Sequence, residues 1–364
     1  MSAAFVLAAG GTGGHLFPAQ ALAGELARRG GRVVVMTDGR SKNFGDVFPG
    51  AEISTVPSAT FANRSAPGRV AAFGIIGVGV LSALAKLLRL RPRAVVGFGG
   101  YPSLPVMTAA WLAGLPTLLH EQNAVPGRAN RLLISKVKKI SASLPFARFA
   151  PKDSSRVVFT GNPVRPEAAA LATSAYTPPG NSGPIRLLIF GGSQGAHALS
   201  EIVPVALVML PEKLRARLEV TQQCRTEDVD MVKAAYRNAG IKNNVASFYN
   251  DLPQRMASAH LVICRSGAST VSELAVIGRP AILVPYPFAT DDHQAANATV
   301  MEKAGAAWNV PQKKLTPEEL AGFLEALFEH PTELAERAAA AHKLGRPDAA
   351  RHLADLVETL GEAA

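Results

Sequence analysis

Residues 7–18 read LAAGGTGGHLFP, and residues 187–198 read LLIFGGSQGAHA. Each is a short apolar run, then a glycine turn, then the start of a helical stretch. Gly10, Gly11 and Gly14 align with Gly191, Gly192 and Gly195. A glycine turn at a helix N-terminus lets the backbone approach an anion and aim N–H groups at it. Two copies of such a phosphate cradle predict two similar α/β domains that share a cleft. A purely structural turn is the alternative at each copy, and the duplication argues against it.

Composition agrees with this outline. A chain of 364 residues is comfortable for two domains, and 48% apolar with 18% charged residues describes a globular protein with a sizeable core. Cys224 and Cys264 lack C-x-x-C spacing and sit in or near apolar stretches, which predicts buried, reduced thiols. The net charge of +10 is uneven: residues 1–163 hold 19 basic and 6 acidic side chains, and the remainder 19 and 22. The basic half predicts an anionic partner: nucleic acid, anionic lipid or a phosphorylated substrate. The N-terminal MSAAFVLAAGG lacks the basic start of a signal peptide and reads as a first strand.

Apolar runs at Phe5–Ala8, Val33–Met36, Ala94–Gly97 and Thr117–His120 predict strands, with a helix over Pro18–Arg29 that stops at Gly30-Gly31. Leu187–Phe190, Leu218–Thr221, Leu261–Cys264 and Ala281–Val284 repeat the pattern. Fully apolar strands separated by helices imply parallel sheets covered on both faces. Thr316–Glu329 opens on T-P-E-E, a capped helix start. A last helix over Asp348–Leu360 puts Leu353, Leu356, Val357 and Leu360 on one face. Gly161–Arg165 reads as an inter-domain hinge.

Val70–Ala85 is 16 residues without a charge, followed by Lys86, Arg89, Arg91 and Arg93. It is short for a span of roughly 20 residues. Two readings stay open: a buried helix, or a helix that dips an apolar face into a bilayer while its basic neighbours meet anionic headgroups.

Several motifs carry candidate chemistry. The first turn is no Walker A loop, and Leu16 stands where a dinucleotide fingerprint needs its third glycine. Asp38 does end the second strand, as a ribose-binding acid does. In the second turn Ser193 can donate to a phosphate, beside Gln194. Cys264–Pro280 runs from a strand through Ser266-Gly267 into a helix beginning near Ser269. Glu273, about one turn inside it, either accepts from a ribose diol or steadies the helix start. Asp291–Gln294 either holds sugar hydroxyls or is a solvated loop. Asp228-x-Asp230 reads as exposed surface. His15 follows the first turn at a helix start that favours its neutral form, which suits a base; donation to a phosphate is the alternative.

Taken together, GGTGGHLFP (10–18), HEQN (120–123), GNPVR (161–165), GGSQGA (191–196), CRSGAST–SE (264–273) and DDHQ–NA (291–298) resemble the MurG family. These blocks span nearly the whole chain in order. The resemblance implies a GT-B fold, two Rossmann-like α/β domains with parallel sheets facing a central cleft. It implies an inverting N-acetylglucosaminyltransferase of peptidoglycan synthesis. Residues 1–163 then take a membrane-borne acceptor, undecaprenyl-linked muramyl-pentapeptide. Residues 164–344 bind UDP-GlcNAc, and a helix over 345–364 crosses back to the first domain. The similarity implies that Thr12, Gly13, Gly14 and Asn123 line the cleft, and that Arg165 and Ser193 contact nucleotide and phosphates. By the same carry-over Ala268, Ser269 and Thr270 meet the diphosphate, Glu273 the ribose and Gln294 the GlcNAc. His15 is the candidate base, with His120 and Glu121 as alternates. Two positions depart from the family: His293 replaces a glutamine, and Tyr249 replaces the aliphatic residue at the uracil. The resemblance implies no cofactor, metal or nucleic acid, and a peripheral place on the cytoplasmic face of the bacterial inner membrane. Another GT-B enzyme with a glycolipid acceptor is the alternative.

Overall fold

A computed structural model describes residues 4–11, 13–38, 47–60, 66–192 and 196–362. The chain forms two compact units, Met1–Arg165 with Asp348–Ala364, and Pro166–Pro347.

The first unit runs β1 (Ala4–Ala8), α1 (Gly13–Arg28), β2 (Arg32–Thr37), β3 (Glu52–Thr55), α2 (Ala66–Leu90), β4 (Ala94–Gly97), α3 (Ser103–Leu112), β5 (Thr117–Glu121), α4 (Arg128–Leu133), β6 (Lys139–Ala142) and β7 (Val157–Phe159). Its seven strands are all parallel, in the order β3-β2-β1-β4-β5-β6-β7. The central strands are continuous apolar runs because both faces are covered. Val6, Val95 and Leu119 face a core shared with Ala83 and Leu87 of α2 and Val106 and Met107 of α3. Leu7, Val96 and Leu118 face one shared with Leu22 and Leu26 of α1.

The second unit runs α5 (Pro166–Ala169), β8 (Ile185–Phe190), α6 (His197–Met209), α7 (Glu212–Arg215), β9 (Leu218–Gln223), α8 (Val229–Asn238), β10 (Lys242–Ala246), α9 (Leu252–Ser258), β11 (Leu261–Cys264), α10 (Ala268–Ile277), β12 (Ala281–Leu283), α11 (His293–Lys303), β13 (Ala307–Asn309), α12 (Pro317–Glu329) and α13 (Thr332–Leu344). Its six strands are also parallel, in the order β10-β9-β8-β11-β12-β13. Counted from its own first strand, this is the order of the first six strands of the first unit. The predicted duplication is therefore one of topology. Thr316 caps α12 in a reciprocal capping box with Glu319, as T-P-E-E predicts.

The last helix, α14 (Ala349–Glu362), packs in the first unit against α1 and β4. Leu353, Ala354 and Val357 are buried there, with Leu356 and Leu360 at the margin. Arg29, just past the end of α1, bonds both Asp355 and Glu358 of α14. Burying each large apolar side chain stabilises by roughly 1.5–3 kcal/mol. An exposed ion pair adds about 1 kcal/mol or less, so the apolar face decides where α14 sits.

Helix α2 corrects one expectation. It is 25 residues long and continues through Lys86 and Arg89 beyond the uncharged run. It is not a buried helix. Small residues at helical spacing, Ala72, Gly79 and Ala83, form its inner face with Leu87. A Cβ on Gly79 would lie 2.0 Å from the Pro57 carbonyl oxygen, so glycine is what lets the helix pack this closely. The outer face exposes Val70, Phe73, Ile75, Val78, Leu81 and Leu88. By length and composition this helix is apolar enough to cross a bilayer, yet it packs along α3 as part of the sheet's cover.

Candidate functional site

Strand order reverses between β1 and β4 in the first unit, and between β8 and β11 in the second. Open α/β sheets bind ligands at the carboxyl ends of strands beside such a reversal. The predicted glycine turns lie at these ends. Gly11 and Gly192, aligned in the sequence, both have positive φ, +92° and +85°. Thr12 and Ser193, with Gln194 and Gly195, lie outside the described residues.

In the first unit, β1 ends in Gly10-Gly11 and β4 ends in a second glycine pair that sequence reading missed. Gly99 and Gly100 have φ of +93° and +73°. A Cβ on Gly100 would meet the Gly10 carbonyl oxygen at 2.7 Å, and one on Gly10 would meet Pro102 at 2.6 Å. The two loops thus touch backbone to backbone, and only glycine permits it. Gly13, Gly14 and His15 open α1 beside them, half-buried. The His15 ring lies on the Gly99-Gly100 backbone: a Cβ on Gly99 would stand 3.1 Å from Cε1. His15 Nδ1 is 3.2 Å from Gln122 Oε1.

The HEQN block ends β5 at the same edge. His120 is fully buried, with Nδ1 2.9 Å from Ser141 Oγ and Nε2 3.2 Å from Asn162 Oδ1. Burial lowers its pKa to about 4. Glu121 is also buried. Its carboxylate accepts from the Asn123 N–H at 3.0 Å, the Gly127 N–H at 3.0 Å and Asn130 Nδ2 at 2.8 Å. These two residues build the loop after β5; Asn123 is half-buried in that loop. Both ring nitrogens of His120 and both oxygens of Glu121 are already engaged, which disfavours them as bases.

A stability window follows from His120. The unfolded chain protonates this imidazole below about 6.5 and the folded chain only below about 4. The unfolded state therefore binds more protons between those values, and stability is full above pH 6.5 and falls as pH drops to 4. His260 shifts the same way, through burial and neighbouring Arg186. We expect melting of the whole chain to lose about 3 kcal/mol per such histidine across this window. His120→Gln, melted from pH 7 to pH 4, should show a flatter profile.

In the second unit, β11 leads through Arg265, Ser266 and Gly267 into α10. Gly267 is the N-cap, and Ala268, Ser269 and Thr270 form the first turn. Ser269 Oγ is buried with no hydrogen-bond partner among the described residues, a donor at the positive end of a helix. Glu273 is buried on the second turn. Ser266 Oγ donates to the Gln294 carbonyl at 2.8 Å, and Asn297 Nδ2 donates to the Ser266 carbonyl at 3.1 Å. Gln294 Oε1 accepts the Tyr286 N–H at 3.0 Å. Asp291 and Asp292 take left-handed φ of 54° and 56° just before α11. Asp291 is half-buried and Asp292 exposed. Tyr249 is buried and donates its hydroxyl to the Asn244 carbonyl at 2.7 Å. Arg165 is half-buried and is the last residue of the first unit before α5.

One expectation is overturned. Asp228, read as exposed, is buried and lies 2.9 Å from His197 Nδ1 at the start of α6. Only Asp230 is exposed. A polar D-x-D run gives no hint that its first member turns inward to meet a helix start far away in sequence. Cys224 and Cys264 are buried and free, as expected.

Comparison with known proteins agrees with this geometry. The glycosyltransferase family 28 N-terminal domain matches residues 5–142, and the family's C-terminal domain matches residues 186–353. A Methylobacterium protein named UDP-N-acetylglucosamine--N-acetylmuramyl-(pentapeptide) pyrophosphoryl-undecaprenol N-acetylglucosamine transferase is 54% identical, over 97% of this chain and 95% of its own. The crystal structure of Acinetobacter baumannii MurG superposes with a TM-score of 0.80 at 32% identity, covering 98% of this chain and 99% of that one. The chain belongs to the MurG family. A Chelativorans family member of the same printed name is 51% identical over 98% of this chain and 94% of its own. The fold is accordingly GT-B, and the enzyme class of the family is that of the glycosyltransferases.

Proposed function

We propose that this chain transfers GlcNAc from UDP-GlcNAc to the C4 hydroxyl of undecaprenyl-diphospho-MurNAc-pentapeptide. Membership of the MurG family, whose relatives carry the name of that reaction, is the observation that carries this reading. The second unit supplies the donor site. The N-terminus of α10, with the N–H groups and hydroxyls of Ala268–Thr270, receives the diphosphate. Glu273 accepts from the ribose diol, the Gln294 amide donates to GlcNAc, and Tyr249 meets the uracil through its backbone. Arg165 and Ser193 complete the phosphate contacts. Thr12, Gly13, Gly14 and Asn123 belong to the acceptor side.

In the reaction the acceptor oxygen attacks C1 of GlcNAc opposite the UDP. The C1–O bond to UDP breaks, α becomes β, and the hydroxyl proton passes to His15. Negative charge builds on the departing diphosphate, where preorganised donors at α10 stabilise it. Removing one such donor typically costs about 3–4 kcal/mol of barrier. The residues assigned here carry out the step without a cofactor. Calorimetry with UDP-GlcNAc, UDP-glucose and NADH tests the donor: tight binding of UDP-GlcNAc alone is expected. Binding of NADH, or indifference between the two sugars, overturns the assignment.

The acceptor's polyprenyl tail requires the enzyme at a membrane surface. The outer face of α2 meets that need: exposed Val70, Phe73, Val78 and Leu81 lie near Lys86, Arg89 and Arg91 in a basic unit. We infer peripheral binding on the cytoplasmic face of the bacterial inner membrane, with apolar contact joined to attraction for anionic lipid. The protein should pellet with anionic vesicles at low salt and be released at high salt. Val78→Glu with Leu81→Glu should abolish pelleting without changing donor binding. Absence of wild-type binding excludes this role, and salt-resistant binding means insertion.

A further inference from the structure

We infer that Gln122 is a positioning residue that holds the His15 imidazole as its Nδ1–H tautomer, making Nε2 the nitrogen that takes the acceptor proton. The inference rests on the reading of His15 as the base and adds which atom acts and what sets it.

The Gln122 amide can sit only one way round. Its Nε2 is 2.9 Å from the Phe98 carbonyl oxygen and 3.3 Å from the His120 carbonyl oxygen. Both partners only accept, so the NH2 end must face them. A reversed amide would set its oxygen against two carbonyl oxygens in a buried place, where Gln122 is 1% exposed. Oε1 is thereby turned to His15 Nδ1 at 3.2 Å. An amide oxygen carries no proton to give, so the hydrogen in this bond is on Nδ1. In a neutral imidazole the other nitrogen is then unprotonated.

The ring is held in place as well as in tautomer. It lies on bare backbone: Cβ atoms on Gly99 and Gly100 would come within 3.3 Å of Nδ1 and 3.4 Å of Cδ2. The Nδ1–H bond to Gln122 survives when the ring becomes imidazolium, since Nδ1 donates in both states. Taking up a proton at Nε2 thus leaves the Nδ1–H bond to Gln122 in place. The same network ties the site to the sheet, because Phe98 directly follows β4 and His120 lies near the end of its neighbour β5.

Nitrogen NMR of the full chain, carrying histidine labelled in the imidazole ring, reads the tautomer directly. His15→Ala identifies the His15 signals by subtraction. Above its titration, wild-type His15 should show a protonated Nδ1 and a bare Nε2. In Gln122→Met the signals should move toward the Nε2–H form that free imidazole prefers. kcat should fall by roughly tenfold or more, with KM for UDP-GlcNAc unchanged. A wild-type His15 protonated at Nε2, or a spectrum unmoved in Gln122→Met, overturns the inference. If Gln122→Met does not fold, the wild-type spectrum still decides. Full turnover in His15→Ala beside an Nδ1–H spectrum sinks the base reading and leaves the tautomer assignment standing.

Discussion

His15→Ala should lower kcat by roughly 10²–10⁴-fold while UDP-GlcNAc binds as in the wild type. That loss corresponds to about 3–5 kcal/mol of barrier. The expectation follows from where the two functions lie. His15 opens α1 in the first unit, against Gly99-Gly100 and Gln122. The donor contacts proposed at α10 belong to the second unit. Steady-state kinetics with the lipid acceptor, paired with donor calorimetry, separates the two effects. Near-normal turnover removes His15 from the chemistry. A parallel loss of donor affinity would mean that the substitution has disturbed more than a proton acceptor.

Glu273→Ala should weaken UDP-GlcNAc binding by roughly 10²-fold. Hydrogen bonds to a charged group contribute about 1.5–3 kcal/mol each, and a ribose diol offers two. Glu273 sits buried on the second turn of α10, so a melting curve must accompany the titration. Glu273→Gln keeps the shape and one acceptor, and should cost roughly tenfold. A ribose-blind site behaves differently: 2′-deoxyribose and ribose donors then bind alike in wild type and variant. Unchanged affinity in Glu273→Ala assigns this carboxylate to the helix start alone.

The sequence made the central strands legible because buried parallel strands must be apolar on both faces. Leu187–Phe190 and Leu261–Cys264 announce themselves for that reason. The edge strands did not. Glu52–Thr55 and Lys242–Ala246 lie at the ends of their sheets and are largely polar or exposed, so neither carries a periodic signal. Glycine turns were readable when followed by a helix start, as at Gly10 and Gly191. The pair Gly99-Gly100, just past the predicted strand Ala94–Gly97, does not stand out along the chain. Its purpose appears only when β4 is placed beside β1. Gln122 had no local mark at all beyond the HEQN resemblance. Its role depends on two carbonyls, of Phe98 and His120, that the fold brings around it. Asp228 misled for the converse reason, since its partner His197 is 31 residues away in the chain. In each case the missing information was a contact between elements, which no spacing along the chain encodes.

Sugar transfer to a lipid-borne alcohol is the central claim. Supplied with UDP-GlcNAc and undecaprenyl-diphospho-MurNAc-pentapeptide in micelles, the protein should release one UDP for each β-1,4-linked GlcNAc found on the lipid by mass and proton NMR. UDP-GlcNAc left intact, hydrolysed without transfer, or joined to the acceptor in the α configuration would contradict it.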